Sequence, residues 1–135
     1  MTVEVRLYDQ NVRQTFDPIT LEFDETKALL QEVVDERGED FIFGDECQYQ
    51  KNGVPSCLVG RVLAKKGASM DLLYAADHLA SGDSTVGAVV SSGLIATDQR
   101  TAFLLGQAQA LQDDRVPYGF VLREALESAE LADKD

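Results

Sequence analysis

The chain has 135 residues, 44% of them hydrophobic and 27% charged, which suffices for one globular domain with a core of its own and no cross-links. Asp and Glu number 24 against 12 Lys and Arg, and the formal net charge of -12 repels nucleic acid phosphates while favouring solubility or a basic partner. Two cysteines, a start (MTVEVRLYDQ) without a basic-then-apolar signal pattern, and no apolar run of membrane-spanning length exclude a disulfide scaffold and a membrane protein; the expected setting is a cytoplasm with reduced thiols.

At the N-terminus Val3, Val5 and Leu7 alternate with Glu4 and Arg6, and Ile19, Leu21 and Phe23 alternate with Thr20 and Glu22. Each run reads as a half-buried strand, and the two are expected to pair as an antiparallel ribbon across the polar connection ending at Asp17-Pro18. A helix over 26–37 follows. Leu29, Leu30, Val33 and Val34 share one face, Asp24 or Thr26 stands where a cap is needed, and Gly38 stands at the stop. Phe41, Ile42 and Phe43 fit either a short strand or an anchor that ties the loop to the core.

The rest is organised around 47–67, CQYQKNGVPSCLVGRVLAKKG. Asn52-Gly53 is a turn dipeptide, Pro55 suits a first helical position, and Leu58, Val59, Val62 and Leu63 form a stripe that Gly67 ends. Gly60 lies inside that helix, where glycine costs roughly 1 kcal/mol relative to alanine. The expected offset is close approach of another backbone, from the Cys47 loop or the last helix; a ligand passing over Gly60 is the functional rival. Lys51, Arg61, Lys65 and Lys66 make this stretch a basic island with no acid, which reads as a solvated helix face.

Ser69 is placed to cap a second helix with Met70, Leu73, Tyr74, Ala76 and Leu79 on its buried side and Gly82 at its end. The small, apolar run from Thr85 to Ala96 reads as a short helix and loop in the interior. Thr97 is expected to cap the next helix, with Asp98 complementing its positive end and Phe103, Leu104, Ala108 and Leu111 recurring at helical spacing up to Gln112. Past Pro117, the residues Tyr118, Val121, Leu122, Ala125, Leu126 and Ala129 define a last helix packed antiparallel on its predecessor, followed by a frayed tail at 132–135.

Three pieces carry a likeness: Cys47-x-Tyr49 with Gly53-x-Pro55-x-Cys57-Leu58-Val59-Gly60, the turn region Leu63 to Gly67, and Ala108-Gln109-x-Leu111-Gln112-Asp113 leading to Pro117-Tyr118-Gly119. From about Ala28 onward the chain resembles a group of small uncharacterised proteins encoded by actinobacteria and their phages. The resemblance implies a phage or host accessory protein and brings no catalytic assignment with it.

Chemistry-bearing residues are few. Cys47, Cys57 and His78 fall short of the four ligands of a tetrahedral zinc site, so no metal is expected and both thiols read as small buried groups flanking a turn. His78, preceded by Asp77, would need Ser56, Ser69 or a cysteine to complete a nucleophile, and no nucleophile elbow surrounds any of them. Gly53 to Gly60 lacks the spacing of a phosphate loop. The helices over 55–66 and from Met70 have the outline of a helix-turn-helix, but the second carries Asp71 and Asp77 and no Lys or Arg.

The fold expected is α+β, a mainly helical single domain over 1–135: N-terminal strands in 1–24, a helical body over 25–131, then the tail. The function expected is non-enzymatic, binding an unidentified protein partner or a second copy, with no cofactor. Sequence-specific DNA binding through the hairpin at 55–80 and a small thiol or hydrolytic enzyme are the alternatives. Tyr49, Lys51, Arg61, Lys65 and Tyr118 are the candidate interaction surface; Cys47, Gly53, Pro55, Cys57 and Gly60 are given structural roles.

Overall fold

In the computed structural model, which describes residues 2–7, 12–45 and 48–133, the alternating start of the chain is a strand, β1 (Val3–Leu7), with Val5 and Leu7 turned into the core. Its partner is not the run at 19–23. β1 pairs antiparallel with β2 (Val12–Phe16), Val3 opposite Phe16 and Leu7 opposite Val12, inside what the sequence offered as a polar connection. The second run is divided. Ile19–Thr20 forms β3, and Phe23 opens the helix α1 (Phe23–Arg37).

After α1 come β4 (Gln50–Lys51) and β5 (Val54–Pro55), α2 (Leu58–Lys65), α3 (Met70–Asp77), α4 (Val86–Ser92), β6 (Ile95–Ala96), α5 (Gln99–Asp113) and α6 (Tyr118–Asp133). With 54% helix and 15% strand, the described residues make the mainly helical α+β domain expected. β3 runs parallel to β6, Ile19 beside Ile95, which ties the start of the chain to the connection between α4 and α5. Leu7 bridges to Leu79, and Ala80 N–H donates to the Arg6 carbonyl at 2.9 Å, so the loop after α3 is held against β1.

Local chemistry accounts for most of the boundaries. α1 buries Thr26, Leu30, Val33 and Val34 and stops at Gly38, whose φ of 103° only glycine adopts freely. Neither Asp24 nor Thr26 caps its start: Glu22 occupies that position without a side-chain bond, and Thr26 Oγ1 donates back to the Glu22 carbonyl at 2.7 Å. Asn52 and Gly53 both have positive φ, 56° and 81°, which is the pairing a tight hairpin between β4 and β5 needs. Pro55 therefore belongs to a strand rather than a first helical turn, and Cys57 caps α2, its Sγ accepting from Gly60 N–H at 3.3 Å.

Ser69, Thr85 and Asp98 cap α3, α4 and α5 through side-chain oxygens. Thr97, one residue ahead of the true cap of α5, instead donates its hydroxyl to the Leu21 carbonyl at 2.8 Å. α3 is shorter than expected: it ends at Asp77, and Met70 and Tyr74 are only half-buried. α6 packs mainly on α5 and buries Tyr118, Val121, Leu122, Ala125 and Ala129. Phe41 to Phe43 is the anchor and not a strand. Its neighbourhood receives the free N–H groups at the start of α6, Tyr118 to the Phe41 carbonyl at 2.8 Å and Gly119 to the Glu39 carbonyl at 2.9 Å.

Candidate functional site

Two glutamines on successive turns of α5 set the geometry of the region around β4 and β5. Gln112 Oε1 accepts from Leu58 N–H, at the start of α2, and from the Tyr118 hydroxyl, both at 2.7 Å. Gln109 Oε1 accepts from Val86 N–H, at the start of α4, at 3.0 Å, while its Nε2 donates to the Tyr49 hydroxyl at 3.0 Å. Tyr49 donates in turn to the Ser84 carbonyl at 2.6 Å. Each glutamine thus satisfies an otherwise orphaned helix N-terminus and holds one buried tyrosine.

That arrangement corrects the candidate surface at two positions. Tyr49 and Tyr118 are both 0% exposed, and neither ring is available to a partner. Burial raises the Tyr118 phenol to about 12, outweighing the Arg37 guanidinium beside it, which acts the other way. Tyr49 is held at its backbone as well. Asp77 accepts Tyr49 N–H at 2.8 Å and Gln50 N–H at 3.2 Å, and burial pushes the Asp77 carboxyl above its ordinary range against those two bonds.

Gly60 shows why Tyr49 sits where it does. A Cβ on Gly60 would lie 2.2 Å from the Tyr49 carbonyl oxygen and 2.9 Å from its carbonyl carbon and Cα. The backbone leading into the hairpin therefore rests directly on α2, as the sequence reading anticipated, and it is chain rather than ligand that covers the glycine.

Above this scaffold lies a cleft of about 360 Å³, lined by Arg37, Phe41, Phe43, Lys51, Val54 and Arg61 among others. Arg37, the last residue of α1, donates to the Tyr118 hydroxyl at 3.0 Å and to the Ser56 carbonyl at 2.7 Å, with its guanidinium 4.7 Å from the Phe41 ring centre and 5.6 Å from that of Phe43. Those contacts fix its orientation. Arg61 projects from α2 into the same cleft, and its Nε is buried with no hydrogen-bond partner. Burial, and after it the Arg37 charge, push the Arg61 guanidinium down from its usual range.

The basic island of the sequence resolves into two kinds of cation. Lys51 faces Asp45 at 3.8 Å, Lys65 bonds Glu36 at 2.6 Å, and Lys66 bonds Glu25. The Arg61 side chain has no hydrogen bond or ion pair to any described residue, although the charge of Glu36 acts on it from farther off. Sequence reasoning missed Arg37, Phe41 and Phe43 as companions of Arg61. The signal available was an arginine just before a helix-stopping glycine followed by an aromatic pair, which brings aromatic faces back over the end of the helix.

The other chemistry-bearing residues are occupied or out of reach. Cys57 is buried and caps α2; Cys47 lies outside the described residues. His78 closes α3, its Nδ1 2.9 Å from the Tyr74 carbonyl and its ring stacked on Tyr74 at 4.0 Å. Among the described residues no three His, Cys, Asp or Glu side chains stand where they could share a metal ion. None of their helices is long and apolar enough to cross a membrane. No family model, curated protein or solved structure matches the chain.

Proposed function

We propose that the protein acts by binding another protein, without catalysing a reaction, and that the β4–β5 hairpin and the cleft beside it form the contacting face. The observation that carries this reading is the local inversion of charge. In a chain with 24 acidic and 12 basic residues, two guanidiniums line one cleft with no carboxylate of the described residues bonded to either, and Val54 borders them at 58% exposure. Exposed apolar surface beside uncompensated Arg is the composition of a binding patch, and an acidic segment of a partner with apolar residues complements it. A phage-encoded or host accessory role in the cytoplasm of an actinobacterium remains part of the proposal, supported by the motif resemblance alone.

The helix-turn-helix alternative gains no support. α2 buries Leu58, Val59, Val62 and Leu63, and α3, the helix that would enter a groove, turns Asp71 to solvent. An acid on the reading helix opposes the phosphate contacts on which such binding depends. Nor does a thiol mechanism, since Cys57 is sealed in the core.

The test is co-purification of the intact protein from its native cells in three forms: wild type, Val54→Glu, and Phe103→Ser, which alters an exposed apolar residue on α5. Expected is a partner retained by wild type and Phe103→Ser and lost by Val54→Glu. The same set of proteins bound by all three forms, or no partner at all from a strictly monomeric protein, refutes the reading.

A further inference from the structure

We infer that the Arg37–Arg61 cleft is a carboxylate-binding site, taking an Asp or Glu side chain from an acidic, partly apolar segment. The inference deepens the partner-binding reading and rests on it for the source of the carboxylate.

The fold leaves one cost standing. A buried donor without an acceptor is destabilising, more so when it belongs to a charged group. Arg61 Nε is such a donor, and the like charge of Arg37 shares its cleft. Every lysine of the same stretch has a carboxylate within 4.0 Å; the arginine, whose planar fork suits a carboxylate best, does not. Arg37 is by contrast already oriented, one hydrogen of each terminal nitrogen being spent on Tyr118 and Ser56 and its plane held by Phe41. A carboxylate entering between the two meets the guanidinium of Arg61 from the cleft side and screens it from that of Arg37.

The choice of carboxylate over phosphate follows from the rim. Asp45 lines the cleft and faces Lys51, so a doubly charged group would meet a carboxylate at the entrance, whereas a singly charged one leaves the Lys51–Asp45 pair undisturbed. Phe43, Val54 and Pro55 provide apolar wall for the residues flanking the acid.

The experiment follows the Arg61 Nε–Hε resonance of the full-length protein by NMR. It is titrated with N-acetylglutamate, a peptide of alternating Asp and Leu, and inorganic phosphate, and with sodium chloride at matched ionic strength. Expected is a saturable shift with N-acetylglutamate, tighter binding of the peptide, and no comparable shift with chloride. Arg61→Met should weaken peptide binding about tenfold or more while its melting temperature without ligand stays equal to wild type or rises, because a buried donor without an acceptor has been replaced by an apolar group. Arg61→Lys, which keeps charge but not the fork, should recover only part of the affinity.

A lower melting temperature for Arg61→Met would show Arg61 to be a structural residue and overturn the inference. So would a shift that chloride reproduces, or tighter binding of phosphate than of either carboxylate. If the carboxylates titrate Arg61 but no partner is lost in Val54→Glu, the site stands and the partner-binding reading falls; if the partner depends on Val54 and Arg61→Met binds it as wild type does, the reverse holds.

Discussion

Replacing Gly60 by alanine tests the central packing relation directly. Alanine in a helix interior is favoured over glycine by about 1 kcal/mol, and an unobstructed helical glycine should gain that much. At Gly60 the new Cβ meets the Tyr49 carbonyl oxygen at 2.2 Å, and that atom belongs to backbone. It is not free to retreat: the same carbonyl accepts Ser56 N–H at 3.0 Å, Asp77 holds the Tyr49 N–H, and the Tyr49 hydroxyl is fixed at Ser84. Overpacking against a yielding neighbour costs about 1–3 kcal/mol, and a tethered carbonyl belongs at or above the upper end, about 3. Set against the helix gain, the net loss is about 2 kcal/mol or more, or roughly 6–8 °C in melting temperature for a chain of this size. Urea unfolding followed by circular dichroism at equal protein concentration measures it. The control is Gly106 in α5, where an added Cβ meets nothing within 4 Å, so Gly106→Ala should raise stability by up to about 1 kcal/mol. A Gly60→Ala protein as stable as Gly106→Ala would refute the reasoning.

Three further outcomes follow. Gln112→Ala leaves Leu58 N–H and the Tyr118 hydroxyl without their shared acceptor and opens a void, and should cost about 2–4 kcal/mol in the same unfolding measurement. Tyr118→Phe should abolish a tyrosinate absorbance step near pH 12; because the folded state raises this phenol from 10.0 to about 12, the stability tied to it is complete below pH 10.0 and lost as pH rises through 12, a high-pH loss the variant lacks. For Asp77 the folded state also binds its proton more tightly than the unfolded chain, so its contribution is complete below the ordinary value of 3.8 and declines as pH rises through the raised folded value. Asp77→Asn removes that decline, and a series of melts across the acid range should show the variant gaining on wild type as pH rises, on top of a constant deficit from the lost acceptor.

The helices were legible where one face alone is apolar, as in Leu30, Val33 and Val34 of α1 or Val121, Leu122 and Ala125 of α6. The contact over Gly60 was legible because a glycine in a helix interior calls for a compensating approach. β2 was not, since Arg13, Gln14 and Thr15 carry no alternation of hydrophobicity and its outer face meets solvent. Nor was the pairing of Ile19 with Ile95, which joins segments distant in sequence and leaves no local trace. The tyrosines misled for a chemical reason. A hydroxyl suggests surface unless a buried acceptor is known, and here the acceptors are Gln112 and the Ser84 carbonyl, supplied from other parts of the chain. The capacity of Arg61 was visible as charge, but its isolation from acids depends on which lysines the carboxylates of α1 reach.

Because Gln109 and Gln112 seat α2 and α4 from one rod, α5 works as the indexing bar of the molecule. Inserting or deleting one residue between Asp98 and Gln109 turns both amides by about 100° and unseats two helices in a single event, while one added at 113–114, beyond both glutamines, leaves their directions unchanged. Tolerance to altered length, rather than to altered side chains, should therefore divide sharply along this protein.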